Sequence, residues 1–63
     1  MTNKYMLRGY SEDAQVKGTL DKAREKAQQM ADRLDEYIEV WPDPSNDDYR
    51  PLCAAVALPK EGK

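Results

Sequence analysis

Residues 19–41 read TLDKAREKAQQMADRLDEYIEVW, and the point at which the first periodicity gives way to a second decides the fold. Leu20, Ala23, Ala27, Met30, Ala31 and Leu34 recur at steps of three and four, which lines one face of a helix at 3.6 residues per turn. From Thr19 to Glu36 the remaining positions are charged, Gln or Thr. Thr19 is a suitable N-cap and Asp21 suits the positive end of the helix dipole, although Lys22 leaves the capping box incomplete. Three alanines on the stripe let a neighbouring sheet come close. The segment Tyr37-Ile38-Glu39-Val40-Trp41 is β-branched, aromatic and alternating, which predicts a strand with Ile38 and Val40 inward and Tyr37, Glu39 and Trp41 outward. One alternative remains open. Leu20, Ala23, Ala27, Met30, Leu34, Tyr37 and Trp41 also fit a heptad pattern, and no glycine marks a helix end near Glu36, so 19–41 also reads as one long helix of a helical dimer.

Upstream, Lys4 to Tyr10 reads as a strand, with Tyr5 and Leu7 on one side and Met6, Arg8 and Tyr10 on the other. Gly9 marks a bulge or a point of close backbone approach. Residues 11–18 read as a polar loop with one apolar side chain, Val16, to tuck under the helix. Downstream, Pro42-Asp43-Pro44-Ser45-Asn46-Asp47-Asp48 is a loop, since two prolines and a run of turn formers end whatever precedes them. Tyr49 to Leu58 reads as the last strand, apolar on both sides and therefore covered on both. Residues 60–63 are expected to be a frayed tail. The whole is one α+β domain spanning 1–63, a β-α-β-β unit with one helix on a three-stranded sheet. A right-handed crossover would make its first two strands parallel.

Size sharpens the problem. A chain of 63 residues has a core that rarely supplies more than about 3–5 kcal/mol. A single cysteine and no histidine rule out an internal disulfide and leave Cys53 alone unable to make a structural zinc site. Association is then the supplement, and a homodimer is expected. The apolar run Leu52 to Leu58 is far short of a membrane span. With no apolar signal segment near Met1 and one thiol, a cytoplasmic location is expected.

Charge divides the chain. Residues 1–31 carry six bases against four acids, and residues 32–63 carry eight acids against four bases. Along the helix itself, Lys22, Arg24 and Lys26 precede Asp32, Asp35 and Glu36, which opposes the dipole. That polarity is either a solvated face or a device for antiparallel association. Duplex binding draws on clustered Lys and Arg, so nucleic acid is not the expected partner. The interleaved Lys4, Arg8 and Tyr10 keep a single-strand-binding regulator as an alternative. The three aspartates of the 42–48 loop lack the ligand register of a calcium loop. No general acid–base, phosphate-loop or nucleophilic set is present, so neither catalysis nor a cofactor is expected.

One helix cannot cover both faces of a sheet. The uncovered face would display Met6, Arg8, Tyr10, Tyr37 and Trp41, residue types that dominate protein interfaces. Arg50 and the loop acids Asp43, Asp47 and Asp48 are expected at its rim.

At Gly18-Thr19-Leu20-Asp21-Lys22-Ala23, and from Arg50-Pro51 to Pro59-Lys60, the chain resembles the small T7-type phage inhibitors of host RNA polymerase. Length and element order are similar too. In that family, arginines at the start of the last strand contact the polymerase. Arg50 matches by motif; the family's second arginine is missing and an aspartate-rich loop is inserted. The resemblance implies a phage or prophage accessory protein that binds and modulates a host protein such as the transcription machinery, without catalysing a reaction.

Overall fold

The computed structural model describes residues 3–47 and 49–60. Its elements are β1 (Lys4–Arg8), β2 (Asp13–Lys17), α1 (Leu20–Leu34), β3 (Ile38–Pro42) and β4 (Ala55–Ala57). The strands form one antiparallel sheet in the order β2-β1-β3-β4. The α+β class and the single helix are as the sequence reads.

The helix begins where its cap predicts. The Thr19 hydroxyl accepts the Lys22 N–H at 3.2 Å, satisfying one of the donors that a helix start leaves unpaired. It ends at Leu34 without a glycine. Asp35 adopts the left-handed conformation (φ 58°, ψ 43°), and its N–H donates to the Ala31 carbonyl. A short polar side chain tolerates that region. The turn ends the helix three residues before β3, so the single long helix over 19–41 is not formed. Strand geometry at Ile38 to Trp41 wins because it buries Ile38 and Val40 completely.

The three-stranded sheet and its parallel first pair are corrected by β2. Residues 11–18, read as a loop, contain this strand: Ala14 and Val16 turn inward while Asp13, Gln15 and Lys17 are exposed. The hairpin turn closes through a Gly9 N–H to Glu12 carbonyl bond of 3.0 Å. Because β2 reverses the chain before the helix starts, the helix returns it antiparallel to β1, pairing Leu7 with Val40 and Met6 with Trp41. The last strand is also shorter than Tyr49 to Leu58. Tyr49 and Leu52 donate their N–H groups to the nearby carbonyls of Asn46 and Arg50, so this stretch makes local turns instead of a ladder. Lys60, expected in the frayed tail, donates its N–H to Asp32 at 2.9 Å; residues 61–63 lie outside the described residues.

The core lies between α1 and the sheet. Ala23, Ala27, Met30 and Ala31 meet Leu7, Ile38, Val40 and Ala57, all buried, with Tyr5, Ala14, Val16, Leu20, Leu34 and Ala55 packed around them. Gly9 is the close approach that the sequence suggests. A Cβ there would lie 2.7 Å from Ile38 Cδ1 and 2.8 Å from the Glu12 carbonyl oxygen. The carbonyl belongs to the hairpin turn and cannot yield without opening it. Gly9→Ala should therefore cost about 1–3 kcal/mol by overpacking, read as a lower urea midpoint, while Gln29→Ala on the exposed helix face should leave it almost unchanged.

Candidate docking surface

Residues directly opposite on neighbouring strands share a face, so the register defines the side of the sheet away from α1. Arg8 sits between Asp13 and Glu39, with Val56 beyond Glu39; Met6 sits between Gln15 and Trp41; Lys4 lies beside Lys17. No secondary-structure element among the described residues covers this side. Val56 is 53% exposed although it belongs to a strand, and Met6 and Trp41 are half-buried.

Glu39 organises the aromatic residues. Its carboxylate accepts the Trp41 indole N–H at 2.9 Å and the Tyr37 hydroxyl at 3.3 Å. Both bonds link residues two apart on one strand side, so the two rings are tied to the sheet and carry little freedom to lose on docking. Arg8, the cross-strand neighbour of Glu39, has no carboxylate partner among the described residues. The ion pair found among the described residues is Arg33–Glu12, at 2.8 Å on the surface. Next to Glu39, Arg8, Gly9, Tyr10, Glu36 and Tyr37 line an open concavity of about 680 Å³. Tyr10 is 94% exposed at its margin.

The structure thus brings together five of the expected residues: Met6, Arg8, Tyr10, Tyr37 and Trp41. The expected rim is assembled only in part. Arg50 lines a different cavity of about 270 Å³ with Tyr5, Leu20, Asn46 and Leu52, on the helix side, because the stretch after the aspartate loop leaves the sheet. Asp43 follows β3 beside Lys4 at the end of the face, its carboxylate held within its own loop by the Ser45 N–H at 2.9 Å and the Ser45 hydroxyl. Asp47 is an exposed turn residue, and Asp48 lies outside the described residues.

Several contributors were not singled out from sequence. Glu39 was legible as outward by alternation, but nothing marked it as the shared acceptor. Val56, expected to be covered on an apolar strand, is exposed because no element among the described residues lies over that side. Asn46, 8% exposed, donates to the Lys4 carbonyl and accepts the Lys4 N–H, both at 2.8 Å, in the manner of a strand partner. Glu36 accepts the N–H groups of Tyr10 (2.8 Å) and Ser11 (3.0 Å) and the Ser11 hydroxyl (2.9 Å). It thereby fixes the β1–β2 turn beside the concavity. No local pattern announces contacts 25 residues apart.

These hydrogen bonds favour ionised carboxylates. The Ser11 N–H and hydroxyl, helped by the Tyr10 N–H, lower the Glu36 carboxyl below its ordinary 4.5. The Lys60 N–H and the Gln28 amide lower Asp32, and the Ser45 hydroxyl and N–H lower Asp43, each from 3.8. Among the described residues no three His, Cys, Asp or Glu side chains are grouped to hold a metal, and no helix is long and apolar enough to cross a membrane. Cys53 is exposed, with its Sγ 3.2 Å from the Ala55 carbonyl oxygen. No known protein family, curated protein or solved structure matches the chain.

A depressed folded-state pKa contributes stability that is present above the unfolded value and lost as pH falls through the folded one. Acidification from about pH 5 to about pH 3 should therefore lower the urea midpoint. Glu36→Gln should flatten that decline, because it removes the group whose protonation releases the β1–β2 turn. Midpoints of the two proteins that fall in parallel over this range would contradict the role given to Glu36.

Proposed function

We propose that the protein is a non-catalytic protein-interaction module, of the phage or prophage accessory kind, that docks through the open side of its sheet. The observation that carries this reading is the uncovered face itself: Met6 opposite Trp41 and Val56 beside Glu39, flanked by Tyr37 and by Arg8, which has no carboxylate partner among the described residues. Interface cores are rich in Trp, Tyr, Met and Arg, and truncating such an anchor typically costs 2 kcal/mol or more of binding. The near-balance of cations and carboxylates on this face gives nucleic acid little to hold. The likeness to phage inhibitors makes bacterial RNA polymerase the first host protein to try, and there Arg50 is a separate candidate contact because it stands apart from the face.

The test compares immobilised wild type with Met6→Ala/Trp41→Ala and with Arg50→Ala, using purified polymerase and a bacterial lysate. The expected outcome is a specifically retained protein whose affinity drops by at least about tenfold on losing the two face residues. Retention unaffected by the double substitution, with the variant still folded, would remove the face as the docking surface. Polymerase binding lost only with Arg50→Ala would move the contact to the helix side.

A further inference from the structure

Resting on that reading of the open face, we propose that its occupant is a second copy of this chain, stacked face to face about a two-fold axis running along the strands between β1 and β3. The two central strands of the face differ in charge, whereas β2 carries both signs, Asp13 beside Arg8 and Lys17 beside Lys4. Strand β1 contributes Lys4, Met6 and Arg8; β3 and the residue after it contribute Glu39, Trp41 and Asp43. These are matched position by position: Arg8 opposite Glu39, Met6 opposite Trp41, and Lys4 accepting the Asp43 N–H at its carbonyl, 3.1 Å away. A two-fold axis between the two strands lays β1 of each copy over β3 of the other. Arg8 then stands over Glu39 of the second copy, Met6 over its Trp41, and Lys4 over its Asp43, and each contact occurs twice.

The alternative two-fold, across the strands, fails on charge. It would lay β1 over β1 and β3 over β3, setting Lys4 against Arg8 and Glu39 against Asp43. On the two central strands only the lengthwise axis makes the surface complementary to itself, as a symmetric interface requires. Sheets stacked in this aligned way lie about 10 Å apart with their strands near −30°. Twist then concentrates contact on the two central strands, where Met6 and Trp41 are. The Glu39 oxygens already hold Tyr37 and Trp41 yet keep lone pairs for a guanidinium, and Arg8 has no carboxylate partner of its own among the described residues. A face about four strands wide and five residues long buries on the order of 1,000 Å² over both copies, the low end for a specific interface. The dimer is therefore weak and forms with rising concentration.

Sedimentation equilibrium from micromolar to millimolar protein, with acrylamide quenching of the sole tryptophan, Trp41, tests the pairing through charge exchange. Wild type should pass from monomer to dimer as quenching falls. Arg8→Glu alone and Glu39→Arg alone each set like charges together in both symmetric contacts, and should weaken the dimer by more than about tenfold. An equal mixture of the two variants restores opposite charges in both contacts, and should recover dimer to within about threefold of wild type. Folded variants whose mixture stays monomeric overturn the proposal. If either variant fails to fold, wild type decides. A millimolar monomer with Trp41 freely quenched overturns the second copy while leaving the face available to another protein. A wild-type dimer with Trp41 still freely quenched overturns the second copy at this face and leaves the docking reading to the retention test of Met6→Ala/Trp41→Ala.

Discussion

The alanines of α1 bring the helix close against Leu7, Ile38 and Val40, and that contact buries Ala23, Ala27, Met30 and Ala31 on the one apolar stripe the helix possesses. A helix is about 10 Å across, whereas four strands at about 4.8 Å spacing span nearly twice that. Even the covered side is therefore incompletely roofed. Tyr5, Ala14, Val16, Leu20 and Ala55 remain half-buried at its margins, and grooves open on either side of the helix, one against β4 and one beside Arg50. The far side of the sheet has no roof of its own. Burial in so small a chain is concentrated in one layer, and the other surface is left to be Met6, Trp41 and Val56 among charges.

Polar groups near the helix C-terminus hold down what the core cannot. Asp32 receives the Lys60 N–H, Arg33 pairs with Glu12, and Glu36 grips the β1–β2 turn. Gln28 adds a bond to the Leu58 carbonyl at 2.7 Å. These acids stand at the end of the helix where the dipole disfavours them. Their placement follows from where the loops arrive: both the hairpin turn and the segment after β4 present backbone N–H groups there. Part of the reversed polarity of the helix is thus committed within the chain.

This explains what the sequence disclosed and what it withheld. Periodicity within one element was legible: the stripe of α1, the Thr19 cap, and the alternation of Ile38 and Val40 all follow from spacing alone. The outward-facing residues of β1 and β3 were legible for the same reason. Strand β2 was not, because a short polar strand with one β-branched residue owes its place to the β1 ladder and to the Glu36 bonds across the hairpin turn. Missing it reversed the direction of β1 relative to β3. The position of Arg50 failed similarly, since Pro51 to Leu58 carries a strand-like composition through a segment that first makes local turns. Asp35 ended the helix in a conformation usually given to glycine, a signal that sequence inspection attaches to the wrong residue type.

The two sheet edges bear on how such a protein associates. An unpaired edge is a template for another strand, and proteins blunt it with charge or brevity. Here β2 exposes Asp13, Gln15 and Lys17, while β4 is three residues long and flanked by irregular chain. Neither edge offers a long, flat, apolar ladder. The open face offers the opposite: its apolar residues lie on adjacent strands, and its rings are already tied in place by Glu39. Edge pairing would leave Met6, Trp41 and Val56 exposed, whereas contact through the face buries them. For the proposed association the face is therefore favoured over either edge, and the separation of cations on β1 from carboxylates on β3 favours the lengthwise orientation for a like surface.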